Sequence, residues 1–175
     1  MKSTPVDHRP FPERVRDPGH WVELFTAAFA AGRFDAVADL ALVTHPDYVA
    51  VQPGTPPAVG PAGLLDFFAR VYALAPDMRG EVLAANVFDG GVYIEVRLTG
   101  TVGGRPLTWD ACDRFWFEDG LVRGRVTYLD PLPLFAAIAL RPRGWGRWWR
   151  SGLGFPARGI SAQLDPRRTL TGRQR

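Results

Sequence analysis

The sequence predicts an α+β domain in which helices pack on one face of a curved antiparallel sheet. Two observations carry that prediction. Apolar residues recur at helical spacing through most of residues 18–75, and the period then changes from 3.6 to 2. The four period-2 runs are joined by "DGG" at 89–91, "GG" at 103–104 and "DG" at 119–120, which is the chemistry of tight hairpin turns.

Taken in order, Asp17-Pro18 reads as an N-cap followed by proline at the first helical position. Trp21, Leu24, Phe25, Ala28 and Phe29 then form one apolar stripe, and Gly32 closes the helix. A second, short helix covers about 34–42, and "DYVAVQP" (47–53) reads as a strand stopped by proline. "GTPPAVGP" (54–61) is a loop. A third helix over about 62–75 buries Leu64, Phe67, Phe68 and Val71, with Asp66 and Arg70 placed to pair at i,i+4. Strands follow near 80–88, 91–102, 106–117 and 121–130.

Turn geometry sets the register. Pairing Val102 with Arg105 places Ile94 opposite Asp113, Val96 opposite Ala111 and Leu98 opposite Trp109. The other face then carries Tyr93, Glu95, Arg97, Asp110, Cys112 and Arg114, with Arg97 beside Asp110. Asp113 is thus an acid on an otherwise apolar inward face. On the last strand, simple hairpin parity turns Val122, Val126, Tyr128 and Asp130 inward.

Composition removes several chemistries. The serines are Ser3, Ser151 and Ser161, all in the tails, and the lone lysine is Lys2, so the body holds no serine triad, Schiff-base lysine or P-loop. His8, His20 and His45 are read as loop or tail residues without metal-ligand spacing, and no cofactor or metal is expected. Cys112 is read as a structural thiol on the outer face. Residues 1–140 hold 12 Lys+Arg against 17 Asp+Glu, whereas 141–175 hold nine Arg against one Asp. An acidic body carries a basic tail, and the basic overall charge is not a nucleic-acid signature of the fold.

The stretches "AAFAAGRFDAV", "HPDYVAVQPGTPPAVGPAGLLDFF", "GGRPLTWDACDRFWFEDGLV" and "YLD" resemble the nuclear transport factor 2-like superfamily, and within it SnoaL-like proteins, over about 18–131. The resemblance implies a cone-shaped α+β fold with N-terminal helices on the concave face of the sheet. It also implies a deep apolar pocket and frequent homodimers. Members include polyketide cyclases, ketosteroid isomerases, limonene epoxide hydrolases and non-catalytic binding domains, so fold alone assigns no reaction.

Position by position, the epoxide-hydrolase pattern fails. Ala50 and Gln52 stand where its Tyr and Asn would be, Val96 and Leu98 replace its Arg and Asp, and Thr127 replaces its second Asp. In the isomerase pattern the general base falls on Gln52 and the oxyanion-hole Tyr on Phe25, while the oxyanion-hole acid falls on Asp113. In the cyclase pattern Asp113 takes a pocket His position, and the catalytic Asp is again Thr127.

Asp113 is therefore the leading candidate acid and Asp130 a secondary one. Phe25, Gln52, Phe68, Tyr72, Val96 and Leu98, with Trp109, Thr127 and Tyr128, are the candidate pocket residues. The comparison turns positions 125 and 127 inward, against hairpin parity, and would need a β-bulge near Gly124. Both alternatives stand at this point.

The expected division is a flexible tail over 1–16, a SnoaL-like domain over 17–131, an apolar then Arg/Trp-rich extension over 132–152, and a disordered tail over 153–175. In the extension, Trp145, Trp148 and Trp149 alternate with Arg141, Arg143, Arg147 and Arg150. Docking on the body, binding to an anionic membrane surface and binding to nucleic acid are the readings, with nucleic acid the least favoured. The function expected is binding of a small apolar molecule of steroid, polyketide or terpenoid type, with acid-assisted isomerase or cyclase chemistry at Asp113. The alternative is a non-catalytic dimerisation or ligand-binding domain, held at a membrane by its tail. A cytoplasmic location, with peripheral membrane contact, is expected because residues 1–14 lack a signal-peptide pattern.

Overall fold

The computed structural model describes residues 12–153, and the expectations for 1–11 and 154–175 lie outside the described residues. Residues 12–16 are not a loose tail. Val15 is buried and donates its amide to the Gly120 carbonyl at 2.7 Å, and Arg14 Nη1 reaches the Asp119 carbonyl at 3.1 Å.

Helix α1 spans Pro18–Ala30, with the Asp17 carboxylate accepting from the His20 amide at 2.8 Å. His20 therefore lies in the first helical turn rather than in a loop. Helix α2 (Phe34–Ala38) runs into a 3-10 turn, Asp39–Val43, so the second helix expected over 34–42 changes pitch half-way. Strand β1 (Thr44–Val51) takes in His45, and a two-residue strand β2 (Ala58–Val59) forms within the expected loop. Helix α3 (Gly60–Leu74) carries the Asp66–Arg70 pair at 2.9 Å.

Strands β3 (Arg79–Phe88), β4 (Gly91–Val102), β5 (Arg105–Glu118) and β6 (Leu121–Tyr128) form the expected meander. The sheet order is β2-β1-β6-β5-β4-β3, and β1 runs parallel to β6. The curved sheet is thus mixed rather than wholly antiparallel. The correction follows from chain direction: β1 reaches β6 through α3 and four further strands, a connection long enough for parallel pairing.

The β4–β5 register is the predicted one, including Val102↔Arg105 and Ile94↔Asp113. On the outer face Arg97 makes two bonds to Asp110, at 2.8 and 2.9 Å. Between β5 and β6, Phe117 faces Val122 but Trp116 faces Gly124, so Arg123 is an extra residue in the ladder. Beyond it Asp113 pairs with Thr127, and parity reverses. Arg125 and Thr127 point inward and are buried, while Tyr128 is exposed. The Trp116 ring lies where a side chain at position 124 would be, 2.0 Å from a built Cβ, so only glycine fits beside it.

An aromatic cluster of Trp21, Phe25, Phe29, Phe68 and Phe115 joins α1 and α3 to the sheet. After β6 come helix α4 (Pro131–Ala139), a 3-10 turn at Pro142–Gly144 and helix α5 (Trp145–Ser151), which packs on α3. The Arg141 guanidinium fastens this extension to the β4–β5 turn, donating to the carbonyls of Arg105 at 3.1 Å and Pro106 at 2.8 Å. Among the described residues no helix is long and apolar enough to cross a membrane.

Candidate functional site

A cavity of about 120 Å³ lies between α3, the inner face of the sheet and the two C-terminal helices. A single buried water requires roughly 10–15 Å³ by the same measure, so the space suits a small molecule. Its walls are mainly apolar, from Phe68 and Val71 on α3 and Val96, Leu98, Trp109 and Ala111 on the sheet. Leu134, Phe135 and Ile138 of α4 and Trp148 of α5 form the roof. Alternate residues of β4 and β5 supply one wall because a strand shows every second side chain to each face.

Five polar side chains reach this cavity: Gln52, Thr55, Asp113, Arg125 and Thr127. Asp113 is 4% exposed, and Thr127 Oγ1 donates a short hydrogen bond to its Oδ1. Burial pushes the Asp113 carboxyl above its ordinary range, with the Arg125 cation and the Thr127 bond pulling part of the way back. Tyr48, beneath them, is raised to about 12, chiefly by burial and with Asp113 adding to it, while Arg125 opposes.

Arg125 is also 4% exposed. Its Nη2 donates to Gln52 Oε1 at 2.8 Å, and the guanidinium lies 5.4 and 5.6 Å from the ring centres of Phe67 and Phe68. Its Nε has no hydrogen-bond partner among the described residues.

The structure brings most candidate residues together: Asp113, Gln52, Phe68, Val96, Leu98, Trp109 and Thr127 all line the cavity. Four do not belong to it as expected. Phe25 is stacked on Phe29 at 4.3 Å, inside the aromatic core. Tyr72 lies at the far side of α3 against Phe34, and burial raises its hydroxyl to about 12. Tyr128 is turned outward by the extra residue at Arg123. Asp130 is exposed and caps α4, accepting from the Leu132 amide at 3.0 Å.

Cys112 is half-buried on the outer face, and burial, then Asp113 and Glu95, raise its thiol, which is the opposite of an activated nucleophile. Arg125 is absent from the candidate residues although the bulged alternative turns position 125 inward. The docking reading of the extension does not anticipate that α4 and α5 close the cavity.

A family profile described as a SnoaL-like domain matches residues 22–124. The chain belongs to the SnoaL-like family. Solved structures share the fold at low identity. One is a candidate SnoaL-like polyketide cyclase from Jannaschia sp. CCS1, 19% identical, with 77% of this chain and 98% of that one covered and a TM-score of 0.60. Another is TerC, crystallised with polyporic acid, at 21% identity, coverage of 67% and 97%, and a TM-score of 0.59. A third is IdmH, a candidate polyketide cyclase from Streptomyces antibioticus, at 21% identity, coverage of 70% and 98%, and a TM-score of 0.57. No curated protein matches the chain.

Within this SnoaL-like domain, Asp113 has a direct thermodynamic signature. A carboxyl whose folded-state pKa is raised contributes stability that is full below its unfolded value and is lost as pH rises through the folded value. Asp113→Asn removes that loss while keeping an acceptor for Thr127. The variant is expected to melt above the parent at about pH 8, with the gap closing toward about pH 4. Thermal melts of both proteins across that range check this, and a gap that stays constant with pH would contradict a raised Asp113.

Proposed function

We propose that the cavity binds a small, mostly apolar molecule of steroid, polyketide or terpenoid type, and that Asp113 acts there as a neutral acid. The observation that carries this reading is a lone carboxyl in an apolar cavity, with Thr127 satisfying Oδ1 and leaving Oδ2 for a proton. Such a group donates to a ligand carbonyl and stabilises charge that develops on that oxygen, which suits isomerisation or cyclisation. No second carboxylate or histidine lines the cavity among the described residues, so any proton abstraction falls to the ligand or to water. The polyketide-cyclase descriptions of two structural neighbours, and the polyporic acid named with a third, support a polyketide-like or acidic ligand class.

A thermal-shift panel of steroids, polyketides and terpenoids tests both halves. A ligand at about a hundred times its Kd adds about 2.7 kcal/mol, equivalent to a rise of roughly 5–10 °C for a chain of this size. The parent is expected to respond to at least one class, and Asp113→Asn to respond less. A flat panel would end the binding reading, and equal responses in both proteins would remove Asp113 from the role.

The rival reading keeps the pocket without turnover and attaches the protein to an anionic membrane. Its support is the outer surface of the roof: Leu132, Leu140, Trp145 and Trp149 are exposed. Residues 131–152 hold four arginines and no acid. Arg141 is engaged with the β4–β5 turn and Arg150 with the Gly146 carbonyl, which leaves Arg143 and Arg147 as the exposed cations for phosphates. With the cavity beneath this surface, docking would face the pocket toward the bilayer.

Co-sedimentation with phosphatidylglycerol vesicles is expected to fall with salt. It should weaken about thirty-fold in the Arg143→Gln/Arg147→Gln double variant, at about 1 kcal/mol per arginine. Parent protein that stays in the supernatant at low salt would leave the extension as a roof alone.

We also propose a homodimer. Support comes from exposed Tyr93 and Tyr128 on the outer face of the sheet. Light scattering is expected to give twice the chain mass, and a monomer mass at working concentration would rule the dimer out.

A further inference from the structure

The cavity carries a cation that the acid chemistry at Asp113 does not use. Arg125 sits on β6 next to Gln52, with the faces of Phe67 and Phe68 against its guanidinium. Tyr48 approaches from β1, Asp113 from β5 and Thr127 from β6 itself. Among the described residues, Asp113 and Arg125 are the only charged residues lining the cavity, and no carboxylate of those residues lies within ion-pair distance of Arg125. A guanidinium presents five N–H donors and no acceptor. One amide oxygen and two ring faces do not satisfy that set, and its Nε is left without a partner.

A buried cation that lacks a direct counter-ion is costly, and the side that could supply one is the cavity side. Asp113 balances it at a distance only while ionised, a state its burial opposes. With Asp113 neutral the cavity has a net positive charge and two donors converging from adjacent strands.

We infer that the ligand is an apolar molecule bearing one anionic oxygen, a carboxylate, phenolate or enolate, and that Arg125 holds this oxygen beside Asp113. The inference rests on reading the cavity as a ligand pocket. It narrows that reading from apolar molecules in general to organic acids and acidic enols. The guanidinium supplies the charge and the geometry, and the aromatic and aliphatic walls take the body of the molecule. A neutral analogue of the same shape would leave the cation as poorly partnered as before, which is the basis of discrimination.

A matched pair of probes tests this on the full chain: 2-naphthoate and 2-naphthylmethanol, measured by titration calorimetry. The parent is expected to bind the acid about tenfold or more tightly than the alcohol. Arg125→Met should bring the acid to the level of the alcohol, leaving the alcohol within about twofold. Arg125→Lys keeps a charge and should retain part of the preference. The Arg143→Gln/Arg147→Gln variant should retain all of it, which places the anion in the cavity rather than on the roof.

Circular dichroism establishes that each variant is folded. If Arg125→Met fails to fold, the Arg125→Lys protein and the matched pair in the parent still decide. Equal affinities for the two probes in the parent overturn the inference while leaving the pocket in place. Binding of neither probe overturns the pocket reading and this inference with it.

Discussion

The extra residue at Arg123 governs what the last strand gives to the interior. Before it, Phe117 pairs with Val122, and after it Trp116 pairs with Gly124, so every later side chain of β6 changes face. Without that residue Val126 and Tyr128 would look toward α3. With it Arg125 and Thr127 do, and the cavity acquires a cation and a hydroxyl beside Asp113. The bulge is held on both sides. Arg123 Nε bonds Glu118 Oε2 at 3.0 Å, and its Nη1 reaches the Asp47 carbonyl of β1. Gly124 makes room for the Trp116 ring. A single unpaired residue is in this way fastened to the neighbouring strands, and the polar group in the cavity follows from it.

That polar group is electrostatically unresolved by its own members. Burial favours the neutral form of Asp113, the Arg125 cation favours the ionised one, and Tyr48 is too costly to ionise to help either. A structural role alone would be served as well by an apolar residue at position 113, since buried ion pairs are commonly no more stable than well-packed hydrophobic replacements. Retaining an acid and a cation, each 4% exposed and not directly bonded, costs stability that a ligand could return. This supports the proposal that the pocket is a binding site rather than a packing defect.

The elements most legible in the sequence were those set by local rules. The Asp17 cap, the α1 stripe, the hairpin turns and the β4–β5 register follow from periodicity and turn chemistry, and the Gly103-Gly104 turn places Asp113 inward. What parity could not give was the far side of a bulge. Simple parity along an unbroken strand turns Tyr128 and Asp130 inward and the bulged alternative does not, and Asp130 is a helix cap. Phe25 and Tyr72 come from apolar helix faces, where periodicity identifies burial but not whether a side chain meets the core or a cavity. The parallel β1–β6 pairing and the roof depend on contacts far apart in sequence, which no local pattern encodes.

The roof also fixes how size and access are related. The cavity is closed by α4 and α5, so a ligand bulkier than it would have to displace one of them. Their attachments differ in kind. Ile138 and Trp148 are buried apolar anchors, whereas Arg141 holds the β4–β5 turn by hydrogen bonds at the solvent-exposed side. Apolar anchors lose least when a ligand replaces them, because the ligand restores the buried area. The extension is thus both the wall that keeps water from Asp113 and Arg125 and the element a larger ligand would move. On the proposed reading, the burial of Asp113 and the size of the ligand the cavity accepts depend on the same two helices.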